Sequence, residues 1–153
     1  MRFLELKIPP VVTFLLVGGL MWVVARTGSG FGFSLPARRP VAAVLALVGV
    51  AIAVLAVVSF RRARTTVHPL HPEAASVLVA SGVFRLSRNP MYLSLLLVLL
   101  GWAVFLANAL AFVFPVVFIP LMNRLQIIPE EKALAAKFGP AFAAYQSKVP
   151  RWL

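Results

Sequence analysis

Carboxylates are scarce in this chain of 153 residues, which has 4 acids against 15 lysines and arginines. Two of the four, Glu130 and Glu131, are adjacent. One interpretation places them in the first turn of a helix, where negative charge complements the helix dipole. The other is that one of them binds a hydroxyl-rich or cationic ligand. Residue types alone leave both interpretations open.

A second candidate is the run Ser-Arg-Asn-Pro-Met-Tyr at 87–92. It is typical of a helix start, with Asn89 as the N-cap and Pro90 as the first helical residue. Beside a membrane, Arg88 would extend to the headgroups and Tyr92 would join the interfacial aromatic residues. By itself, therefore, this run does not indicate a functional site.

The two histidines, His68 and His71, are three residues apart, and a proline follows each of them. Two imidazoles at this spacing can share a metal ion, but the prolines disfavour a regular helix, and the only other plausible ligands are Glu73 and the distant glutamate pair. The chain has no cysteine, which excludes disulfides and thiolate ligands. We predict no metal site.

The composition of the chain indicates which class of protein contains these residues. The chain is 61% hydrophobic and 12% charged, against about 25% charged residues in an ordinary soluble domain. The net charge of +11 raises the question of a nucleic-acid partner. However, the basic residues lie between long apolar runs, where they usually mark the cytoplasmic ends of membrane spans. We predict an all-α, polytopic protein of one membrane domain, 1–153, with membrane lipids and no nucleic acid as partners; its oligomeric state stays open.

Four apolar stretches predict four transmembrane helices, at 8–25, 41–60, 90–106 and 110–122. The uncharged segment 89–123 would be roughly 50 Å long as one helix, too long for a hydrocarbon core of ~30 Å. It is therefore expected to form a hairpin that turns at 107–109. Pro115 and Pro120 are expected to kink the fourth span.

The basic residues predict the orientation of these spans. Only Arg26, Arg38 and Arg39 fall on one side, and all the other lysines and arginines fall on the side of the two termini. The positive-inside rule then places both termini in the cytoplasm, as expected for a multi-pass protein of the cell (inner) membrane. The first span lacks a small-x-small cleavage site and is expected to be retained.

Two cytoplasmic segments follow from this topology, 61–89 and 124–153. The first is expected to be mostly loop, with a short helix or strand near 74–80. In the second, Pro129 opens a helix that ends at Gly139. A second short amphipathic helix, carrying Phe142 and Tyr145, is expected to follow. These short helices are expected to form a pocket in the C-terminal half.

The C-terminal half also resembles a known family. In order, it contains TTVHP at 65–69, LVASGVFR at 78–85, SRNPMY at 87–92, QIIPEEKAL at 126–134, FG at 138–139, Tyr145 and VPRWL at 149–153. This ordered set is similar to the isoprenylcysteine carboxyl methyltransferase family, in particular its short bacterial branch, and to the related phospholipid methyltransferases. The resemblance covers roughly 65–153.

The resemblance implies an integral membrane enzyme that uses S-adenosylmethionine without a Rossmann domain. Its cofactor pocket would be cytoplasmic, formed by the segment before the third span, the start of that span and the paired glutamates. Carried over to this chain, the cofactor-binding residues are Ser76, Val77, Leu78, Val79, Phe84, Asn89, Pro90, Tyr92 and Glu130. The first four would cradle the adenine, Phe84 would be an aromatic wall, and Glu130 would hold the ribose hydroxyls or face the cationic end of the cofactor.

Two positions depart from the eukaryotic members of this family. Asn89 stands where they have a histidine, and Gln126 stands where they have an arginine tied to the substrate carboxylate. Arg124 is a poor substitute because it points about 200° away around a helix. A neutral amine, thiol or hydroxyl acceptor on an amphiphile therefore fits Gln126 better than a carboxylate does. We assign Gln126 and Asn89 to the catalytic site.

The resulting prediction is an S-adenosylmethionine-dependent membrane methyltransferase acting on an apolar or amphiphilic acceptor, either isoprenylcysteine-like (prenylated) or another small lipophilic molecule. A phospholipid N-methyltransferase of the phosphatidylethanolamine type is the alternative with the same cofactor site. A non-catalytic membrane scaffold and a small four-span transporter are alternatives of another class. The transporter would normally need an ionisable residue inside the membrane, and the apolar spans have none.

Overall fold

The computed structural model describes residues 6–65 and 76–153. His68 and His71 lie outside these ranges, as does the start of the short element expected near 74–80. The described part of that stretch, 76–80, forms neither helix nor strand.

Every regular element in the described residues is helical, and the only β-type pairing among them is an isolated bridge between Gly32 and Asn108. The helices are α1 (Pro10–Thr27), α2 (Arg38–Arg62), α3 (Pro90–Leu106), α4 (Val113–Met122), α5 (Ile128–Phe138) and α6 (Pro140–Gln146). A π-helical turn, Asn123–Ile127, joins α4 to α5, and 3₁₀ turns lie at Ser29–Phe31, Gly82–Arg85 and Ala109–Phe112. The prediction of an all-α chain is confirmed, and so are the helix that ends at Gly139 and the short helix that follows it.

Three helical stretches of the described chain are long and apolar enough to cross a membrane: Pro10–Thr27, Arg38–Arg62 and the continuous run Ala109–Phe138. Helix α3 is also apolar but has 17 residues, the lower limit for a span. Large apolar side chains point away from the bundle on α1 and α2; Leu16 and Leu47, for example, are 63% and 68% exposed. Such faces are stable in contact with lipid rather than with water.

Helix α3 is the centre of the bundle and packs against α1, α2 and α4. Its contact with α2 is close because glycines stand at the crossing. A Cβ atom on Gly49 of α2 would lie 2.8 Å from the carbonyl oxygen of Ser94, and one on Gly101 of α3 would lie 2.9 Å from that of Ala42. The two backbones therefore approach as closely as glycine allows, in the manner of small-residue contacts between membrane helices.

The predicted hairpin turn at 107–109 is confirmed. Ala107 ends α3 in the left-handed region, with φ of 48°. The buried side chain of Asn108 accepts a hydrogen bond from the Leu110 amide at 3.0 Å and donates one to the Gly28 carbonyl at 2.8 Å. Asn108 thus caps the next turn and ties it to the end of α1.

Proline is placed in α4 as the sequence suggested. Pro115 lies in the first turn of the helix, and Pro120 lies inside it. Because Pro120 has no amide hydrogen, one carbonyl of the preceding turn loses its intrahelical donor. The π-helical turn begins three residues later, at Asn123. The kink itself stays a prediction.

The glycine contact between α2 and α3 gives a test of this packing. We expect Gly49→Ala to lower the free energy of unfolding by about 1–3 kcal/mol, because an added methyl group in a filled contact forces the helices apart. The measurement is unfolding in mixed micelles with increasing dodecyl sulfate.

Gly19→Ala on α1 is the matched control. A Cβ atom there meets nothing within 4 Å, so this substitution should leave stability unchanged or raise it through helix propensity. Equal stability of Gly49→Ala and the parent chain would contradict the close packing of α2 on α3.

Candidate functional site

Glu131 lies between two arginines, one before α3 and one after α6. Its Oε1 atom is 2.9 Å from Nη2 of Arg88, and its Oε2 atom is 2.6 Å from Nη2 of Arg151. The Nε group of Arg151 donates a further bond to Oε1 at 3.1 Å. The hydrogen bonds that Arg151 donates to Glu131 raise the pKa of Arg151. Glu131 is thereby satisfied within the protein.

Arg88 also holds the segment after α6. Its Nη1 group donates to the carbonyl oxygens of Gln146 and Val149, both at 3.0 Å, and its backbone amide donates to the carbonyl of Pro150 at 3.0 Å. The side chain is 12% exposed. The expectation that Arg88 extends to the headgroups is therefore wrong. Its two Nη groups bond to carbonyls and a carboxylate that only the folded chain brings to them, whereas its buried Nε has no partner among the described residues.

Ser87 and Asn89, on either side of Arg88, bind the same C-terminal segment. The Ser87 hydroxyl donates to the carbonyl of Arg151 at 3.3 Å, and Nδ2 of Asn89 donates to that carbonyl at 3.0 Å. Asn89 does occupy the N-cap position of α3, and Pro90 is the first helical residue as predicted. The predicted side-chain cap is absent in Asn89, however, since its amide is engaged by Arg151.

The segment 147–153, which we call the C-terminal strap, is fixed at its far end by Trp152. The indole nitrogen of Trp152 donates to Oδ1 of Asn123, in the π-helical turn, at 3.0 Å. The strap therefore connects the start of α3 to the junction between α4 and α5. It closes one side of the region that contains the paired glutamates.

Glu130 has a different environment from its neighbour. Its carboxylate accepts a hydrogen bond from the phenol of Tyr92, a buried residue in the first turn of α3. Arg88 and Arg151 both bond to Glu131 and not to Glu130. A carboxylate has about four acceptor sites, and a neutral phenol uses one of them. Glu130 is thus the carboxylate of the pair that neither of these two arginines occupies, and it keeps acceptor capacity for a ligand.

The residues assigned to the adenine cradle lie along one extended segment. Ser76 and Val77 are exposed, and the amide of Ser76 donates to Oγ1 of Thr65 at 3.0 Å. Leu78 packs against the cluster formed by Phe142, Tyr145 and Val149 of α6 and the strap. Val79 is buried beside Phe84 and Ala56. The segment alternates between the α6 side and the α2 side, as an extended chain does.

Phe84 is fixed between α2 and α6. Its ring meets that of Phe60 edge to face, with centroids 5.1 Å apart, and its carbonyl oxygen accepts a hydrogen bond from the Tyr145 hydroxyl at 2.7 Å. Burial raises the pKa of Tyr145 to about 12, so this phenol stays a neutral donor at neutral pH. The aromatic position assigned to Phe84 is therefore held rigidly.

Gln126 is fully buried in the π-helical turn. Its Nε2 group donates to the carbonyl of Ile8, just before α1, at 2.7 Å, whereas its Oε1 atom has no hydrogen-bond partner among the described residues. Residues four apart on a helix are neighbours on one face, which puts Gln126 about one turn from Glu130. A buried carbonyl oxygen without a donor costs about 1–3 kcal/mol, so this atom is a candidate contact for a ligand.

The structure thus brings together Tyr92 with Glu130, and Val79 with Phe84. Gln126 lies about one helical turn before Glu130 and bonds to the residue Ile8, before α1. The structure also shows a polar network that the sequence did not predict as part of the site, comprising Ser87, Arg88, Glu131, Arg151 and Trp152. The sequence did contain an indication of this network, because SRNPMY and VPRWL are both among the segments that resemble the methyltransferase family. Nothing in their spacing says that they meet.

Apolar helices of membrane length with a polar cluster at one end are typical of a membrane protein, and comparison with known proteins gives its class. A family model described as phospholipid methyltransferase matches residues 37–141. The match runs from the residue before α2 into α6 and includes Asn89, Tyr92, Gln126 and Glu130. The chain belongs to this phospholipid methyltransferase family and is a membrane methyltransferase. The resemblance drawn from its motifs is confirmed.

Individual relatives agree with this assignment. Two rice proteins, from Oryza sativa subsp. indica and subsp. japonica, are each named as a probable protein-S-isoprenylcysteine O-methyltransferase and are 36% identical over 107 residues. That alignment covers 69% of this chain and 56% of each rice protein, so the chain spans little more than half of their length. An uncharacterized protein of Haemophilus influenzae is 49% identical over 63 residues, which are 41% of this chain and 100% of that protein. No solved structure matches the chain.

The two ion pairs of Glu131 should contribute unequally to stability. Glu131→Gln removes the partner of both arginines, and we expect it to lower the free energy of unfolding by about 3 kcal/mol, as for a broken buried pair. Arg151, whose side chain is 36% exposed against 12% for Arg88, forms the more solvated pair. Arg151→Gln should therefore cost about 1 kcal/mol. Chemical denaturation in detergent micelles measures both.

Lys148→Gln, an exposed substitution in the same strap, is the control and should leave stability unchanged. If Glu131→Gln were no less stable than Lys148→Gln, the buried carboxylate would not hold the strap.

Proposed function

We propose that this protein transfers a methyl group from S-adenosylmethionine to an amphiphilic acceptor, at a site that contains Tyr92, Gln126 and Glu130. The observation that carries the proposal is the difference between the two adjacent glutamates. Glu131 is bonded to Arg88 and Arg151, while Glu130 is bonded to a neutral phenol. A carboxylate held in this way suits a ligand that offers hydroxyl groups or a positive charge.

The residues present fit the chemistry of that cofactor. Glu130 and Tyr92 would hold its ribose hydroxyls or face its cationic end, with Asn89 and Pro90 beside them at the start of α3. The adenine would bind along the extended segment of Ser76, Val77, Leu78 and Val79, with Phe84 as the rigid aromatic wall. When bound, the cofactor supplies a methyl group on a cationic sulfur, which is an excellent leaving group. The protein therefore needs to align the reactants and exclude water rather than to activate them.

Alignment of this kind can supply about 7–11 kcal/mol of the barrier in well-oriented cases. Rigid elements surround the proposed site. Arg88 and the strap fix the start of α3, and the Tyr145–Phe84 hydrogen bond fixes the segment before it. The strap covers the polar cluster on one side, which limits the access of water to the reacting atoms.

Gln126 indicates the class of acceptor. Its Oε1 atom is buried and lacks a donor among the described residues. An amine, hydroxyl or thiol offers a hydrogen to this oxygen, and a carboxylate does not. We therefore infer an N–H, O–H or S–H acceptor on a lipophilic molecule, which Gln126 orients.

A lipid amine, as in phosphatidylethanolamine-type N-methylation, is the second candidate function. The same unpartnered oxygen of Gln126 favours it, and the family description also names phospholipids. The rice relatives, by contrast, are named for a prenylated cysteine substrate. A prenylcysteine carboxylate would find no cation at Gln126.

We further propose that α3, the third of the four predicted spans, also crosses the membrane, and that the end of the bundle containing Glu130 faces the cytoplasm of the inner membrane. Arg26, Arg38 and Arg39 lie at the end of α1 and the start of α2, beside Asn108. Most of the other basic residues lie at the opposite end, with α5, α6 and the strap. This distribution satisfies the positive-inside rule.

Replacing Glu130 tests the cofactor site. We expect Glu130→Gln to weaken binding of S-adenosylhomocysteine more than about tenfold, since a hydrogen bond to a charged group contributes about 1.5–3 kcal/mol. Isothermal calorimetry on the purified protein in nanodiscs measures the Kd. Glu5→Gln is the charge-matched control and should leave it unchanged. Equal affinity of Glu130→Gln and the parent chain would falsify the assignment.

The substitution Gln126→Ala distinguishes the cofactor part of the site from the acceptor part. We expect the Kd for S-adenosylhomocysteine to stay within about twofold and kcat/KM for an amphiphilic amine to fall about tenfold, the effect of one lost hydrogen bond in the oriented complex. Methyl transfer from radiolabelled donor to lipid extract measures turnover. A loss of cofactor affinity with unchanged turnover would contradict this assignment, because it would place Gln126 in the cofactor subsite and not in the acceptor subsite.

A further inference from the structure

An apolar groove runs between α1 and α2 over the surface of α3. Both outer helices pack on α3, but they hardly touch one another, so the groove stays open at the side of the bundle. Its volume is about 750 Å³, within the range of about 300–1,000 Å³ that is usual for ligand sites. Its lining includes Phe14, Gly18, Trp22, Ala46, Trp102 and Phe105.

The groove lies away from the proposed methyl-transfer site. Trp102 and Phe105 belong to the last turns of α3, whereas Tyr92 belongs to its first turn. Ten residues of helix between Tyr92 and Trp102 correspond to about 15 Å along the axis. A lipid headgroup bound at the mouth of the groove, near the start of α2, would therefore be far from Glu130 and Gln126. The groove is not the acceptor site of the proposed reaction.

Positive charge is concentrated at this end of the groove. Arg39, in the first turn of α2, lines it and makes no ion pair or side-chain hydrogen bond with the described part of the chain. The guanidinium carbon of Arg26 lies 5.4 Å from the ring centroid of Trp22, another lining residue. The segment 26–40 contains three arginines and no acid. The groove thus combines an apolar slot with a cationic mouth.

We propose that this groove binds a phospholipid with an anionic headgroup, whose acyl chain lies between α1 and α2 and whose phosphate is bound by Arg39. Charge complementarity selects this occupant. Basic residues at a membrane surface attract anionic lipids, each contributing about 1 kcal/mol. A second copy of the chain is a poorer occupant, because a two-fold contact would bring Arg26, Arg38 and Arg39 of both copies to the same interface. The bound lipid fills a gap that the helices leave open and joins α1 to α2.

Tryptophan fluorescence reads out occupancy directly. The chain has three tryptophans, of which Trp22 and Trp102 line the groove and Trp152 lies in the strap. Trp152→Phe is used as the parent, so that only the groove tryptophans emit. The protein is placed in nanodiscs of phosphatidylcholine. These contain an increasing fraction of a brominated lipid, either brominated phosphatidylglycerol or brominated phosphatidylcholine, because bromine on the acyl chains quenches tryptophan on contact.

We expect brominated phosphatidylglycerol to reach half-maximal quenching at a mole fraction several-fold lower than brominated phosphatidylcholine. Arg39→Gln should reduce this preference about fivefold, the change that about 1 kcal/mol produces. Arg38→Gln is the matched control, since Arg38 is the adjacent exposed arginine and does not line the groove. It should leave the preference unchanged.

Three outcomes would overturn the proposal. Equal quenching by the two brominated lipids would show no headgroup selection. Equal effects of Arg38→Gln and Arg39→Gln would reduce the site to diffuse surface charge. Weak quenching by either lipid, together with cross-linking between copies of α1 and α2, would mean that a second copy fills the groove. None of these outcomes bears on cofactor binding at Glu130.

Discussion

The carboxylate of Glu131 between Arg88 and Arg151 is the interaction on which the polar end of the molecule depends. It joins the start of α3, the start of α5 and the C-terminal strap, three segments that are far apart in sequence. A buried charge needs a partner of opposite sign and further hydrogen bonds to be stable, and here each arginine also meets backbone carbonyls or a second carboxylate contact. The strap can take no other path without leaving these groups unsatisfied.

The pairing of Glu131 with two arginines has a consequence for its neighbour, Glu130. Because Glu131 uses both guanidinium groups, Glu130 is left with the Tyr92 phenol alone from this network. One residue along the helix changes the direction of a side chain by about 100°. This is enough to place one glutamate between the two arginines and to leave the next for the ligand-binding role proposed above.

Much of this architecture could be predicted from the sequence because it depends on local patterns. The lengths of the apolar runs predicted the helices and the hairpin turn at 107–109, and Gly139 predicted the end of α5. The role of Arg88 could not be predicted in this way. Its partners Glu131 and Val149 lie 43 and 61 residues away, and no local spacing encodes a contact of that range. For the same reason the side chain of Asn89 was expected to cap α3, whereas it binds a carbonyl of the strap. The π-helical turn that buries Gln126 has no sequence signature comparable to a cap or a proline.

The position of the strap late in the chain also determines when the polar end can form during synthesis. Membrane helices insert and become stable one by one, and only afterwards pack together. Arg151 and Trp152 are translated after α3, so the start of α3 has no strap to bind until these residues have been made. The polar end of the molecule therefore closes only after the helices that it joins have been synthesised.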